Sequence, residues 1–273
     1  MSITVVSGAT GRLGGRVAAR LERPQRLLVR DAARAPRIPG AEVAEADYGD
    51  PAAVRAALAG AGTVLMVSAS ESPDRVDRHR AFVDAAAEAG VGHLVYTSFA
   101  GARPDATFTL ARDHWATEEH IRASGLPFTF LRDNLYADFV PGLVGEDGVI
   151  RGPAGNGRAA LVAQDDIADA IVSVLRDPGP HAGRTYDLTG PEALTFAEIA
   201  ALLGEAIGQE IRYHDETVEE AYASRASYGA PDWQVDAWVS TYTAVAAGEL
   251  ATVDPAIERL TGRRPKTLAE LLR

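Results

Sequence analysis

The 273-residue chain contains no cysteine, which excludes disulfides, thiolate metal sites and cysteine nucleophiles. Only two methionines and 7% aromatic residues are present, which argues against a Met-rich partner groove. Positive charge is in deficit, with 27 Lys and Arg against 38 Asp and Glu and a net charge of −11. No local cluster of Lys and Arg stands out. That balance opposes non-specific binding to nucleic acid, whose affinity rests on neutralising phosphates. No apolar run reaches the roughly 18 residues needed to cross a bilayer, and no basic leader with an apolar segment precedes the first strand. No membrane partner is therefore expected, and the expected compartment is the cytoplasm. Internal repeats, low-complexity segments and a G-x-S-x-G nucleophile elbow are also missing. His79, His93, His120, His181 and His214 show no metal-ligand spacing, so no metal is expected. No pattern in the chain specifies an oligomeric state.

What is present begins at once. A β-branched apolar run, Ile3 to Val6, leads into Gly8-Ala9-Thr10-Gly11-Arg12-Leu13-Gly14 and then an amphipathic stretch to about Leu21. This reads as a strand, a tight turn and a helix start. Gly8 permits the sharp turn, Gly11 lets a pyrophosphate approach the backbone, and Gly14 lets the helix pack closely. The helix N-terminus offers free N–H groups and a positive dipole end to phosphate. Thr10, Arg12 and Leu13 belong to the same candidate dinucleotide site.

Strand and helix signals alternate through the first half. Strands are expected at 26–29, 42–46, 63–67, 93–97 and 128–131, and helices at about 50–59, 73–89 and 112–123. Asp50-Pro51 gives one helix its N-cap and first residue. The pattern implies a doubly wound parallel sheet covered on both faces. Residues 1–150, with later segments such as 158–190, are assigned to that layer, and 191–273 to a small, mostly helical substrate-side cap within one compact unit. In the second half, Gly148 to Gly157 is expected to be a loop or hairpin. Asp165 and Asp166 read as the N-cap and first turn of a helix, and Thr195…Glu198 and Thr267…Glu270 as capping boxes. Tyr222, Tyr228, Trp233, Trp238 and Tyr242 cluster in a largely helical region.

Ligands in open α/β sheets sit at the carboxyl ends of strands. At the end of the second strand stands Arg30, where an Asp or Glu would bond the ribose 2′-hydroxyl of NAD. With Arg12 it makes two guanidinium forks suited to a 2′-phosphate. NADP is thus preferred, with NAD open if Asp31 reads a plain ribose. Asp47, beside Tyr48, can accept from an adenine amino group. Ser68, Ala69 and Ser70 are small enough to let ribose and phosphate lie over the fourth strand. Thr97, Ser98 and Phe99 end the fifth. Tyr-x-x-x-Lys, in which the Lys activates the Tyr as a general acid, is absent. The group with a near-neutral unperturbed pKa in the corresponding window is His114. Phe99, Asn134, Tyr136 and Phe139 suit the wall of a flat substrate.

Gly-Ala-Thr-Gly-Arg-Leu-Gly at 8–14, Val-Arg-Asp at 29–31, Ala-Asp-Tyr-Gly-Asp at 46–50, Ser-Ala-Ser-Glu at 68–71, His-Leu-Val-Tyr-Thr-Ser at 93–98 and Leu-Arg-Asp-Asn-Leu-Tyr at 131–136 occur in this order. Together they resemble the NmrA-like branch of the atypical short-chain dehydrogenase/reductases, and most of all its type 2 NAD(P)H:quinone oxidoreductases. The resemblance implies a Rossmann-type fold and hydride transfer from NADPH to a quinone-like small molecule. The branch also contains non-catalytic NAD(P)-binding redox sensors, which stand as the alternative. Many members carry a Lys near the start of the helix that here holds Arg112 and His114.

Overall fold

A computed structural model describes residues 3–273; Met1 and Ser2 lie outside the described residues. The elements run β1 (Ile3–Ser7), α1 (Arg12–Arg20), β2 (Gln25–Val29), β3 (Glu42–Glu45), α2 (Pro51–Leu58), β4 (Ala61–Met66), α3 (Arg75–Glu88), β5 (Leu94–Phe99), α4 (Thr109–Ala123) and β6 (Phe128–Asp133). They continue with β7 (Val149–Gly152), β8 (Arg158–Ala159), α5 (Gln164–Arg176), β9 (Arg184–Leu188), β10 (Leu194–Thr195), α6 (Phe196–Ile207), β11 (Arg212–Asp215), α7 (Val218–Arg225), α8 (Asp232–Ala246), α9 (Ala256–Thr261) and α10 (Leu268–Leu271). These residues form two compact units. The first takes the chain up to Phe99, then Asp113–Arg132 and Ile167–Tyr186; the second takes Ala100–Arg112, Asp133–Asp166 and Asp187–Arg273.

A seven-stranded sheet of order β3-β2-β1-β4-β5-β6-β9 forms the first unit's frame. The pairs β1–β2, β2–β3, β1–β4 and β4–β5 are parallel, with Val5 opposite both Arg26 and Val64. The continuous apolar runs fit strands covered on both faces. Val5, Val64, Met66 and Phe130 share one buried cluster with Phe82 of α3 and Ile121 of α4. Each such buried side chain contributes about 1.5–3 kcal/mol. Elsewhere α1 and α5 are joined by Arg20–Asp169 at 3.0 Å and by Arg23 Nη1 donating to the Leu175 carbonyl at 2.6 Å. Asp50 caps α2 as expected, its carboxylate accepting from Ala53 N at 3.0 Å. Strand order reverses direction between β1 and β4, so a crevice opens beyond their carboxyl ends.

In the second unit β7 pairs in parallel with β11, and β8 pairs antiparallel with β10. This corrects the reading of 148–157 as a loop or simple hairpin. The glycines hid a strand whose partner lies far downstream. Helix α5 opens at Gln164, so Asp165 lies inside the first turn and is not the N-cap. Asp166 is fully buried and accepts from Lys266 N and Arg263 Nη1, both at 2.7 Å. Helix α4 begins at Thr109, a turn before the expected start. Both expected capping boxes are present, and a third, Thr217 with Glu220, opens α7.

Candidate functional site

The turn between β1 and α1 has the geometry its glycines suggest. Gly8 has φ of +62°, a left-handed conformation that disfavours any side chain. A Cβ on Gly14 would lie 2.3 Å from the Gly8 carbonyl oxygen, so only glycine lets the helix start this close to the turn. Gly11 is the N-cap of α1, with no side-chain cap and no acidic residue in the first turn. The first N–H groups of α1 therefore keep their capacity for an anion. That cradle fits a pyrophosphate.

A cavity of about 380 Å³ opens at this turn. Gly8, Thr10 and Gly11 form one side; Arg30, Asp47 and Tyr48 a second; Ser68, Ala69 and Ser70 a third. Five other expected residues do not line it. Leu13 is buried in α1, Gly14 packs on the turn, and Arg12 is exposed on α1. Thr97 and Ser98 are turned inward: Thr97 Oγ1 accepts from Ser68 N at 2.9 Å, and Ser98 Oγ donates to the buried Glu118 at 2.6 Å. They support the crevice from behind.

Tyr48 closes the strand tips together. Its hydroxyl donates to the Val67 carbonyl at 2.7 Å and lies 2.5 Å from Ser7 Oγ, which itself accepts from Val67 N at 2.9 Å. Burial raises the Tyr48 pKa well above its ordinary value, so the phenol stays protonated and serves as part of the wall. Asp47 Oδ1 accepts from Gly49 N at 2.8 Å and pairs with Arg78, which also lines the cavity. Burial opposes that charge, but the Gly49 N–H, Arg78 and Arg30 outweigh it and hold the Asp47 carboxyl below its usual range. Asp31 is committed to its own loop, accepting from Ala33 N at 2.9 Å. Arg30 is exposed and makes no hydrogen bond or ion pair among the described residues.

The loop after β4 is pinned by α3. Ala69 N donates to His79 Nε2 at 2.9 Å, and Arg75 Nε donates to the Ala69 carbonyl at 3.0 Å. His79 is buried and neutral; burial first, then Arg75 and Arg78, bring its pKa down to about 3. Arg75 Nη2 also donates to His114 Nε2 at 3.0 Å. An arginine cannot accept, so the His114 proton sits on Nδ1 and points at Tyr96 Oη, 2.9 Å away. Burial and the charges of Arg75, His79 and Arg132 hold the His114 pKa far below the ordinary value. His114 is thus a neutral, 5% exposed ring with both nitrogens engaged. In this setting His114 holds no imidazolium proton near neutral pH.

The second unit holds a cavity of about 870 Å³. Tyr136 and Phe139 line it, as do Phe196, Trp238 and Tyr242. Two expected substrate residues do not. Phe99 packs in the first unit with its ring 6.0 Å from that of His114. Asn134 is buried with its amide spent on the backbone, donating to the Leu250 carbonyl at 3.0 Å and accepting from Leu135 N at 2.7 Å. Sequence reasoning missed Arg78, Arg151 and Arg225 as cavity residues. The aromatic cluster of the sequence, with Tyr228, Trp238 and Tyr242, was a second signal for this cavity beside Tyr136 and Phe139. Among the described residues no group of three or more His, Asp or Glu could hold a metal, and no helix is long and apolar enough to cross a membrane.

Sheet order and glycine turn define the class: a doubly wound, Rossmann-type α/β protein with a cradle at its topological switch point. Within that class the chain belongs to the NmrA-like family, whose model matches residues 1–256. It is 33% identical to quinone oxidoreductase 2 of Escherichia coli, over 97% of this chain and 96% of that one. It is 36% identical to the (4-alkanoyl-5-oxo-2,5-dihydrofuran-3-yl)methyl phosphate reductase of Streptomyces griseus, over 95% and 93%. Among solved structures, the NADPH complex of an Escherichia coli NADPH-dependent quinone oxidoreductase superposes with a TM-score of 0.90 at 33% identity, covering 99% of this chain and 98% of that one.

Proposed function

We propose that this protein is an NAD(P)H-dependent oxidoreductase that reduces a quinone-like conjugated carbonyl acceptor. The observation that carries the reading is the glycine cradle of 8–14 opening onto a cavity whose polar groups suit a dinucleotide. The near-full-length likeness to two reductases supports it. When bound, the reduced nicotinamide supplies a hydride, which with one proton from water converts a quinone to a hydroquinone. The N-terminus of α1 holds the pyrophosphate. Asp47, with its Oδ2 outside the hydrogen bonds that Oδ1 makes, accepts from the adenine amino group. Arg30 takes a ribose 2′-phosphate, so NADPH is preferred over NADH. The aromatic cavity of the second unit receives the acceptor. His79, Arg75 and His114 orient the loop at Ala69 and move no proton. The test is loss of reduced-nicotinamide absorbance with and without a naphthoquinone. Quinone-dependent oxidation supports the reading, whereas tight NADPH binding with no turnover would leave the family's sensor role in its place.

A further inference from the structure

Acceptor binding in the second unit's cavity is part of the reading above, and the electrostatics of that cavity narrow the acceptor further. The chain carries 38 acidic against 27 basic residues. Yet among the described residues the cavity is lined by two arginines, Arg151 of β7 and Arg225 of α7, and by no Asp or Glu. The two belong to one stretch of wall, because Arg225 Nη2 donates to the Arg151 carbonyl at 3.1 Å. Arg225 is only 8% exposed and stands over the Tyr242 ring, 5.4 Å from its centroid.

Their counter-charges stand outside the lining. Glu216 Oε2 takes Arg225 Nη1 at 2.8 Å, and Asp147 takes both Arg151 terminal nitrogens, at 3.0 and 2.5 Å. Neither carboxylate lines the cavity. The Arg151 Nε–H is in no hydrogen bond among the described residues, leaving a donor for an incoming acceptor group. A neutral flat ligand makes no use of that donor, whereas an oxyanion forms a charge-assisted hydrogen bond with it. At about 870 Å³ the cavity is also at the upper end of ligand sites that enclose drug-sized molecules.

We propose that the acceptor has an extended apolar or multi-ring body carrying an oxyanion, a carboxylate, sulfonate or phosphate, which seats against Arg151 and Arg225, and that cationic aromatic compounds are disfavoured. The test uses three probes with one ring system: anthraquinone-2-sulfonate, the neutral 2-hydroxymethyl anthraquinone, and a 2-(trimethylammonio)methyl anthraquinone. Dissociation constants are read from quenching of tryptophan fluorescence in the presence of oxidised dinucleotide, so no turnover is needed. Trp238→Phe identifies the signal of this cavity. The sulfonate should bind about tenfold or more tighter than the neutral probe and the cation weakest, as expected for a charge-assisted hydrogen bond. The advantage should shrink as salt rises. Arg151→Gln should remove most of it and leave the neutral probe unchanged. Arg225→Met combined with Glu216→Gln removes both buried charges together and should remove the rest. Equal binding of sulfonate and neutral probes, or an advantage surviving both variants, overturns the proposal. Failure of all three probes to quench overturns the placing of the acceptor in this cavity. An intact anion preference without NADPH oxidation by any acceptor overturns the reductase reading and leaves the oxyanion site standing.

Discussion

His114 shows how far a residue's chemistry depends on its surroundings. Its unperturbed pKa makes it the obvious acid in a chain lacking Tyr-x-x-x-Lys. Buried between Arg75 and Tyr96, it is held neutral. General acid catalysis is typically worth 10²–10⁴-fold, and this ring carries no imidazolium proton near pH 7. His114→Ala should therefore lower quinone turnover by less than about tenfold. Steady-state kinetics at saturating NADPH check this, and a thousand-fold loss would make His114 an essential acid. Arg30 is the opposite case, a residue whose role could be read from its place after the second strand. Arg30→Ala should cost about 2–3 kcal/mol in NADPH binding, tens to over a hundred-fold in affinity. NADH should be nearly unaffected, and calorimetric titration of both dinucleotides separates the two; equal losses would sink the assignment.

At the scale of elements, the β1–α1 turn was legible because its glycines are local. Positive φ at Gly8 and the 2.3 Å approach at Gly14 are steric demands that no distant residue alters. The loop after β4 was legible only in part. Ser68, Ala69 and Ser70 were expected at the cavity for their size, and they line it. What holds them, His79 and Arg75 of α3, could not be read, because the contact depends on how α3 returns across the sheet. His79→Leu leaves the half-buried Ala69 N–H without its acceptor, at a cost of about 1 kcal/mol. Dinucleotide affinity should fall by up to about tenfold, while His79→Gln, which keeps an acceptor, should restore most of it.

The same histidine sets a pH dependence. In the unfolded chain it titrates near about 6.5, and in the folded protein near about 3. Below the higher value the unfolded chain takes up a proton that the folded one refuses. The stabilisation is complete above about pH 6.5 and is lost toward pH 3 at about 1.4 kcal/mol per pH unit. His114, also lowered, acts with the same sign. Urea midpoints should drop from pH 7 to pH 5, with a shallower slope in His79→Gln. An unchanged slope would mean that His79 protonates freely in the fold.

For the whole molecule, the path of the chain matters more than any boundary along it. The first unit returns to the sequence twice after Phe99, taking Asp113–Arg132 and then Ile167–Tyr186. The last segment supplies most of α5, with Ile167, Ile171 and Val174 fully buried, and β9, the strand beside β6. A fragment of residues 1–150 would lack both, exposing the apolar surface that α5 covers and an unpaired sheet edge at β6. It should show little amide protection in hydrogen exchange and should aggregate, whereas a cooperatively unfolding, dinucleotide-binding fragment would contradict this reading. Strand and helix alternation, the glycine turn, the caps at Asp50, Thr195 and Thr267 and the place of Arg30 were determined by sequence alone, since each rests on backbone sterics or on neighbours within a few residues. The parallel pairing of β7 with β11, the inward turn of Thr97, Ser98 and Asn134, the neutrality of His114 and the meeting of Arg151 with Arg225 were decided only by the tertiary structure. Each depends on burial and on partners brought from remote parts of the chain, and no local pattern encodes either.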